Sequence, residues 1–407
     1  MQFTLGRIFK VVLTALLSAA VFAIALNRNI YGPSFPAYSV VLVSALVILA
    51  MIKRSWLDLS WVMVAALLMA GFDYGIMKFR PHVMPCFAFV GLGAMFVLGT
   101  RAIWAESKER WRSLNGLISA LLLAAFQWVA FKLLIITSIL QPKTFDLYLY
   151  SFDCSLRVQP SFVVGQLMQR WRWLYYLCIF VYAILPLPLA LVYAAQLLRS
   201  RRKALQAMLA FLVMGPLGFF FYSLLPACGP RYLFGADFPW HPLPTSQAMR
   251  LDLLPVVVHG FRNAIPSLHM AWALLIWWNS RDLPRWIRTL TLSLVVLTAL
   301  PTLGTGEHYF VDLVVAFPFS VMVQALCSYT VPFQSRERRT AFLFGMLATL
   351  LWFALLSFGI RFFWISPVIP WAMIVATVVL SLLSARRLMG TETQEHPARL
   401  LALGATA

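Results

Sequence analysis

Arg262-Asn263-Ala264-Ile265-Pro266-Ser267-Leu268-His269 opens a stretch of two apolar runs joined by a basic turn. It closes in Gly304-Thr305-Gly306-Glu307-His308-Tyr309-Phe310-Val311-Asp312. His308 follows His269 by 39 residues. At about 1.5 Å per helical residue that is roughly 58 Å, two crossings of a hydrocarbon layer about 30 Å thick. The stretch therefore predicts a helical hairpin that goes through a membrane and returns, with both histidines on the same side. His308 and Asp312 are four apart, so their side chains share one helix face. A carboxylate there can hold the imidazole in one tautomer and stabilise its positive charge. Asp312 lies about a turn inside the apolar run Tyr309 to Phe319. An ionisable group at that depth is costly, which makes a functional role the default. A His–Asp pair that only pins two helices is the bland alternative, and the Pro-Ser-x-His turn at a matching topological distance weighs against it.

Working outward, the composition fits that setting. Of 407 residues, 61% are hydrophobic and 12% charged, with a mean hydropathy of +0.81. This describes a polytopic membrane protein and excludes a soluble domain. A net charge of +19 would point to nucleic acid in a soluble chain. Here the basic residues sit at the ends of apolar spans, as orientation signals do, and no nucleic-acid partner is expected. Cys86, Cys154, Cys178, Cys228 and Cys327 lack CxxC spacing, so there is no zinc or redox motif. Cys154 and Cys228 could share a face and pair, but free thiols are the expected state.

Apolar windows predict an all-α fold of about twelve transmembrane helices: 9–27, 37–52, 59–77, 83–100, 115–140, 172–198, 205–226, 264–280, 289–304, 308–330, 340–360 and 367–385. Arg7 and Lys10 ahead of the first run resemble a signal peptide, but the run is long for one and reads as a retained span. With the N-terminus cytoplasmic, 21 basic residues fall on the inner side and 11 on the outer. That bias puts both termini in the cytoplasm and both histidines outside. The short loops suggest a bacterial inner membrane, with a Golgi-like membrane as the alternative. Lys78-Phe79-Arg80-Pro81 reads as an interfacial snorkelling cluster. Two outer loops are long, about 141–171 and 227–263. The first, with Asp146, Asp153 and Arg157 among aromatics, is expected to lie as a helix in the interface. The second runs directly into the Pro-Ser-x-His turn and is expected to form a lid or binding wall. The expected organisation is a four-span accessory region over 1–114, a six-span catalytic core over 115–330, and a two-span region with a short solvated tail over 331–407.

Two histidines and an aspartate, without further ligands at metal spacing, argue against zinc, and no metal or cofactor is expected. Polar groups converging at helix N-termini suit an anion such as phosphate. Ser267, with Arg231 or Arg262 supplying charge, is the candidate cradle. His308, made more nucleophilic by Asp312, would attack phosphorus and form a phosphohistidine. His269 would protonate the departing oxygen and then deprotonate an acceptor alcohol or water.

Pro266-Ser267-Leu268-His269 and His308-Tyr309-Phe310-Val311-Asp312 resemble the second and third signatures of the type 2 phosphatidic acid phosphatase superfamily. The resemblance covers roughly residues 115–330 and implies a six-helix core and a phosphohistidine intermediate. The chain departs from that pattern where the superfamily carries its cations. In place of Lys-x6-Arg-Pro stands Cys228-Gly229-Pro230-Arg231-Tyr232, and Pro301-Thr302 replaces the Ser-Arg that usually precedes the third signature's histidine. A phosphomonoester dianion wants several positive partners, whereas a phosphodiester carries one charge and needs fewer. The His-Tyr-x-x-Asp form is similar to sphingolipid synthases, especially inositol phosphorylceramide synthases. That likeness implies a phosphotransferase moving a headgroup from a phospholipid donor to a lipid or polyol alcohol. A lipid phosphate or polyprenyl pyrophosphate phosphatase is the second reading. A lipid transporter is the rival from another class, and it should show an internal repeat and paired broken helices, which the sequence lacks. The sequence does not fix the oligomeric state.

Overall fold

In the computed structural model, residues 2–26, 35–53, 55–77 and 83–404 are described. The Lys78–Pro81 cluster falls outside them. The helices, in chain order, are α1 (Gln2–Leu26), α2 (Phe35–Ile52), α3 (Trp56–Met77), α4 (Val83–Trp104), α5 (Ser107–Leu140), α6 (Asp146–Ser155), α7 (Pro160–Arg170), α8 (Arg172–Ala183), α9 (Pro186–Arg199), α10 (Arg201–Leu224), α11 (Pro230–Phe234), α12 (Thr245–Ala248), α13 (Leu268–Asn279), α14 (Arg285–Gly304), α15 (Phe310–Cys327), α16 (Arg336–Phe358) and α17 (Val368–Gly404). The strands among the described residues are two short ones, Lys143–Thr144 and Val256–Val257, paired antiparallel. The chain is an all-α polytopic membrane protein.

Each of the twelve apolar runs coincides with helix. Among the described residues, nine helices are long and apolar enough to cross a membrane alone, and α8 with α9 passes the same test as a pair. Of the remaining two runs, the one in α2 is a shorter apolar helix over Tyr38–Ile52, and the one in α13 is a helix of 12 residues. Helices suit every run because a lipid environment offers no partner for an exposed N–H or C=O. α17 continues to Gly404, through the segment expected to be a short solvated tail.

The chain divides into two compact units, one of residues 1–131 with 183–208 and the other of 132–182 with 209–407. This division follows packing and differs from the three consecutive regions expected. In the first unit, α4 lies close to α2 and α3 because glycines face them. A Cβ on Gly91 would stand 2.4 Å from Leu42 C, and one on Gly93 2.7 Å from the Val62 carbonyl oxygen. Small residues let membrane helices approach in this way, where there is no hydrophobic drive between them. Asp58, Arg101, Glu109 and Lys53 link the ends of α3, α4 and α5 through contacts of 3.1–3.6 Å.

The second unit holds the 262–312 hairpin. α13 packs against α14 and α15, α15 against α16 and α17, and α7 against α14. The 141–171 loop contains α6 and α7. α6 was expected to lie in the interface, and eight of its ten residues are buried instead. Tyr150 and Phe152 explain the difference, because both rings stack into aromatic clusters with Phe162, Phe234, Trp352 and Phe363. Arg338 is buried near the start of α16, donating to the carbonyls of Ala325, Leu326 and Val331, which ties α16 to the end of α15.

Gly345 fixes how closely α16 lies on α15. A Cβ there would meet Met322 N at 2.5 Å and the Pro318 carbonyl oxygen at 2.6 Å, both backbone atoms that cannot swing aside. Gly345→Val should therefore destabilise the second unit by at least about 1–3 kcal/mol, the usual cost of overpacking. Thermal unfolding in detergent should show a clear fall in the midpoint, and an unchanged midpoint would mean that the helices can part at no cost.

Candidate active site

His308 precedes α15, and its ring is held on both sides. Nδ1 lies 2.8 Å from the Ala264 carbonyl oxygen. A carbonyl can only accept, so Nδ1 carries the proton and Nε2 carries the lone pair. Nε2 faces Ser267 Oγ at 3.3 Å. Asp312 Oδ2 is 3.4 Å from Nδ1 and accepts from the Tyr309 amide at 2.8 Å. The carboxylate expected to orient the ring is thus its second partner, behind a backbone carbonyl. Asp312 Oδ1 is buried with no hydrogen-bond partner among the described residues. Its charge is therefore available to a cationic or phosphorylated His308, since burial weakens screening.

The backbone of this segment is equally tied. The His308 amide donates to the Thr302 carbonyl, the His308 carbonyl accepts from Ser161 Oγ, and the Ser267 amide donates to the Asp312 carbonyl. Pro266-Ser267 and His308-Asp312 are therefore fastened to each other directly. The structure brings Ser267, His308 and Asp312 into one cluster.

His269 lies in the first turn of α13, two residues after the cap residue Ser267. Its ring stacks on Tyr182 of α8 with centroids 3.7 Å apart, and Trp272 meets it edge-on at 5.9 Å. Among the described residues its ring nitrogens have no hydrogen-bond partner, so they are free to exchange a proton with a ligand. A flat aromatic face fixes the plane of the ring without engaging either nitrogen.

Arg231 and Arg262 fare differently. Arg231 is half exposed at the start of α11, and its guanidinium pairs with Glu307 at 2.8 Å. Tyr232 Oη donates to the same carboxylate at 3.2–3.3 Å. Glu307 precedes His308, so the Arg231 cation beside this segment is held by an internal anion. Gly229 and Gly306 make this approach possible. Both have positive φ, of 113° and 73°, and a Cβ on Gly229 would stand 2.4 Å from the Glu307 carbonyl oxygen.

Arg262 was expected to hold phosphate. Instead it is buried and donates to the carbonyls of Gln141, Pro142 and Gly260, with Cys228 Sγ at 3.4 Å. Its donors are committed to backbone, which makes it a positioning residue that joins the 141–144 segment to the approach of the Pro-Ser-x-His turn. The reason is geometric: the end of the 227–263 loop lies against the segment that follows α5, and the carbonyls of Gln141 and Pro142 converge with that of Gly260 on the guanidinium.

Two carboxylates of α6 escaped the sequence reading as site residues. Asp146 accepts from the amides of Cys228 and Gly229 and from Tyr309 Oη at 3.0 Å. Asp153 accepts from the amides of Phe310 and Val311, the first N–H groups of α15. Both are completely buried, and burial pushes each carboxyl above the usual carboxylate range, against the hydrogen bonds they accept. Their spacing of seven residues, two helical turns, was the available signal. It put two acids on one face of a segment otherwise read as amphipathic. Asp153 and Asp312 fill the start of α15, while Ser267, the cap residue of α13, faces His308.

All five cysteines are free. Burial raises the Cys154 thiol to about 12, and burial beside Asp146 does the same for Cys228 against the pull of Arg262. In native protein at pH 8, iodoacetamide should leave both unmodified, and both should label fully after denaturation without reductant. Mass mapping would decide; labelling of Cys228 in the native state would mean that the 227–263 loop opens.

No curated protein matches this chain, and no solved structure does. Residues 147–326 match the family model of the PAP2 superfamily. The matched region begins in α6 and ends in α15, so it contains Ser267, His269, His308 and Asp312 with the elements that hold them.

Proposed function

We propose that this protein is a metal-independent lipid phosphotransferase that works through a phosphohistidine on His308. The observation that carries the reading is the His308 ring itself, with Nδ1–H turned to a carbonyl and the Nε2 lone pair left facing Ser267. Phosphatase and phosphotransferase chemistry on lipid phosphates is the level at which the superfamily match supports it.

In the first step Nε2 forms a bond to phosphorus and the bond to the departing oxygen breaks. The phospholipid donor's leaving oxygen takes a proton from His269, which must be protonated for this half-reaction. The imidazole bonded to phosphorus is cationic while Nδ1 keeps its proton, and Asp312 at 3.4 Å stabilises it. In the second step the acceptor alcohol, a lipid or polyol, gives its proton to His269. Its oxygen bonds to phosphorus and the P–N bond breaks. Ser267 Oγ, released from Nε2, and Arg231, released from Glu307, are the groups placed to meet the phosphoryl oxygens. Together they supply one cation, which suits a phosphodiester.

Transfer rather than hydrolysis is favoured by the residue at 302. Where the phosphatase signature has arginine, Thr302 is buried and donates to the Thr298 and Ala299 carbonyls, so no cation stands there. Hydrolysis of a lipid phosphate monoester is the second reading, with water taking the place of the alcohol. The charge bias of the loops supports cytoplasmic termini and an outer-face site in a bacterial inner membrane.

The test is to incubate purified protein with a mixed phospholipid extract and candidate alcohols, and to analyse products and protein by mass spectrometry. Wild type should form a new phospholipid and an acid-labile phosphoprotein. His308→Ala should form neither, a fall of at least about 10⁴-fold for loss of a nucleophile. Free phosphate without a new lipid would make the enzyme a phosphatase, and identical products from wild type and variant would remove His308 from the chemistry. Arg231→Ala should weaken transfer by about tenfold to a hundredfold, the worth of one charge-assisted contact. Glu307→Gln, which frees Arg231, should instead lower the concentration of phospholipid needed for half-maximal rate.

A further inference from the structure

A second cleft, of about 390 Å³, opens in the second unit and shares no residue with the histidine cluster. Ser151 of α6, the segment Met249–Leu253 and the turn Ile360–Ile365 between α16 and α17 line it. Its walls are fixed. Trp364 Nε1 donates to Ser151 Oγ at 3.0 Å, and Tyr148 Oη donates to the Leu253 carbonyl. Arg157 lies over the Trp364 ring, 5.6 Å from its centroid.

Arg250 and Arg361 line the cleft, both exposed, and neither forms an ion pair with a carboxylate among the described residues. Asp252, the acid nearest in sequence, points into solvent without an ion pair. Arg157 lies behind one wall, over Trp364, and no carboxylate is among the described residues that line the cleft. The adjoining surface is apolar and open: Phe358 is 92% exposed, Ile365 73% and Val368 69%. Such residues at the ends of two helices long and apolar enough to span a membrane suit contact with lipid tails. Cations above an apolar wall match the headgroup and chains of a phospholipid, not a soluble anion.

The cleft also lies at the histidine end of the molecule. Asp153 of α6 caps the start of α15, α15 and α16 form a hairpin, and the turn leads from the end of α16 to the start of α17. Ser151 and Asp153 belong to the same helical turn of α6. A lipid seated there would rest on the element that holds the start of α15.

We infer that this cleft binds the phosphate headgroup of a membrane phospholipid between Arg250 and Arg361, as a second lipid site outside the catalytic cluster. The inference stands apart from the chemistry assigned to His308.

Delipidated full-length protein in detergent would be titrated with phosphatidylglycerol, with a diacylglycerol of the same chains, and with inorganic phosphate, and bound molecules counted by native mass spectrometry. Wild type should retain one more phosphatidylglycerol than Arg250→Gln/Arg361→Gln, and that site should weaken about thirtyfold in the variant through loss of two interfacial cations. Diacylglycerol binding should be the same in both. If the double variant does not fold, Arg361→Gln alone should show a loss of about fivefold. Equal phosphatidylglycerol retention by wild type and variant would overturn the site. Inorganic phosphate binding there as tightly as the lipid would overturn the lipid assignment.

Discussion

A helix that begins inside protein, away from water, must find partners for its first N–H groups, and in this chain the start of α15 is where the rest converges. Asp153 takes the amides of Phe310 and Val311, and Asp312 takes that of Tyr309. Asp146, two turns before Asp153 on α6, reaches the Tyr309 hydroxyl and the amides of the Cys228-Gly229 loop. Burying three carboxylates is costly. It is tolerated here because each accepts N–H or O–H groups that would otherwise be orphaned, and because the positive end of the helix dipole faces them. One set of contacts thus caps a helix, fixes a loop and sets the position of His308.

The hairpin and the helical character of all twelve apolar runs were legible in the sequence, because hydropathy and length are properties of single segments. The Ser267, His308 and Asp312 cluster was legible for the same reason: two short motifs at two-span separation have few ways to meet. What stayed hidden depends on tertiary backbone. Ala264 holds His308 through its carbonyl, which no side-chain pattern can announce. Arg262 precedes the motif and carries charge, so it read as a phosphate ligand, yet the carbonyls of Gln141 and Pro142, distant in sequence, and of Gly260 take its donors. α6 read as interfacial because it mixes aromatic and acidic residues, and its burial follows from partners on α11, α16 and the 360–364 turn. Tyr182 under His269 lies in an apolar run where one aromatic looks like any other.

The three groups of the proposed mechanism are held by different means. His308 is fixed by hydrogen bonds on both ring nitrogens, His269 only by stacking, and Arg231 by an ion pair at a half-exposed position. An attacking atom benefits from being fixed in advance. A group that must serve a leaving oxygen and then an arriving one benefits from a pivot, which a stacked ring provides.

The Arg231–Glu307 pair has a consequence for what the proposed site ignores. Because Arg231 is already neutralised by a neighbouring carboxylate, the site presents little standing positive potential to passing anions. Inorganic phosphate and its oxyanion mimics would have to break that pair without any compensating burial of hydrocarbon. A lipid would bring its tails and could meet that cost from the membrane side. Built this way, the site would be insensitive to the ionic content of the aqueous phase and would respond instead to the composition of the bilayer.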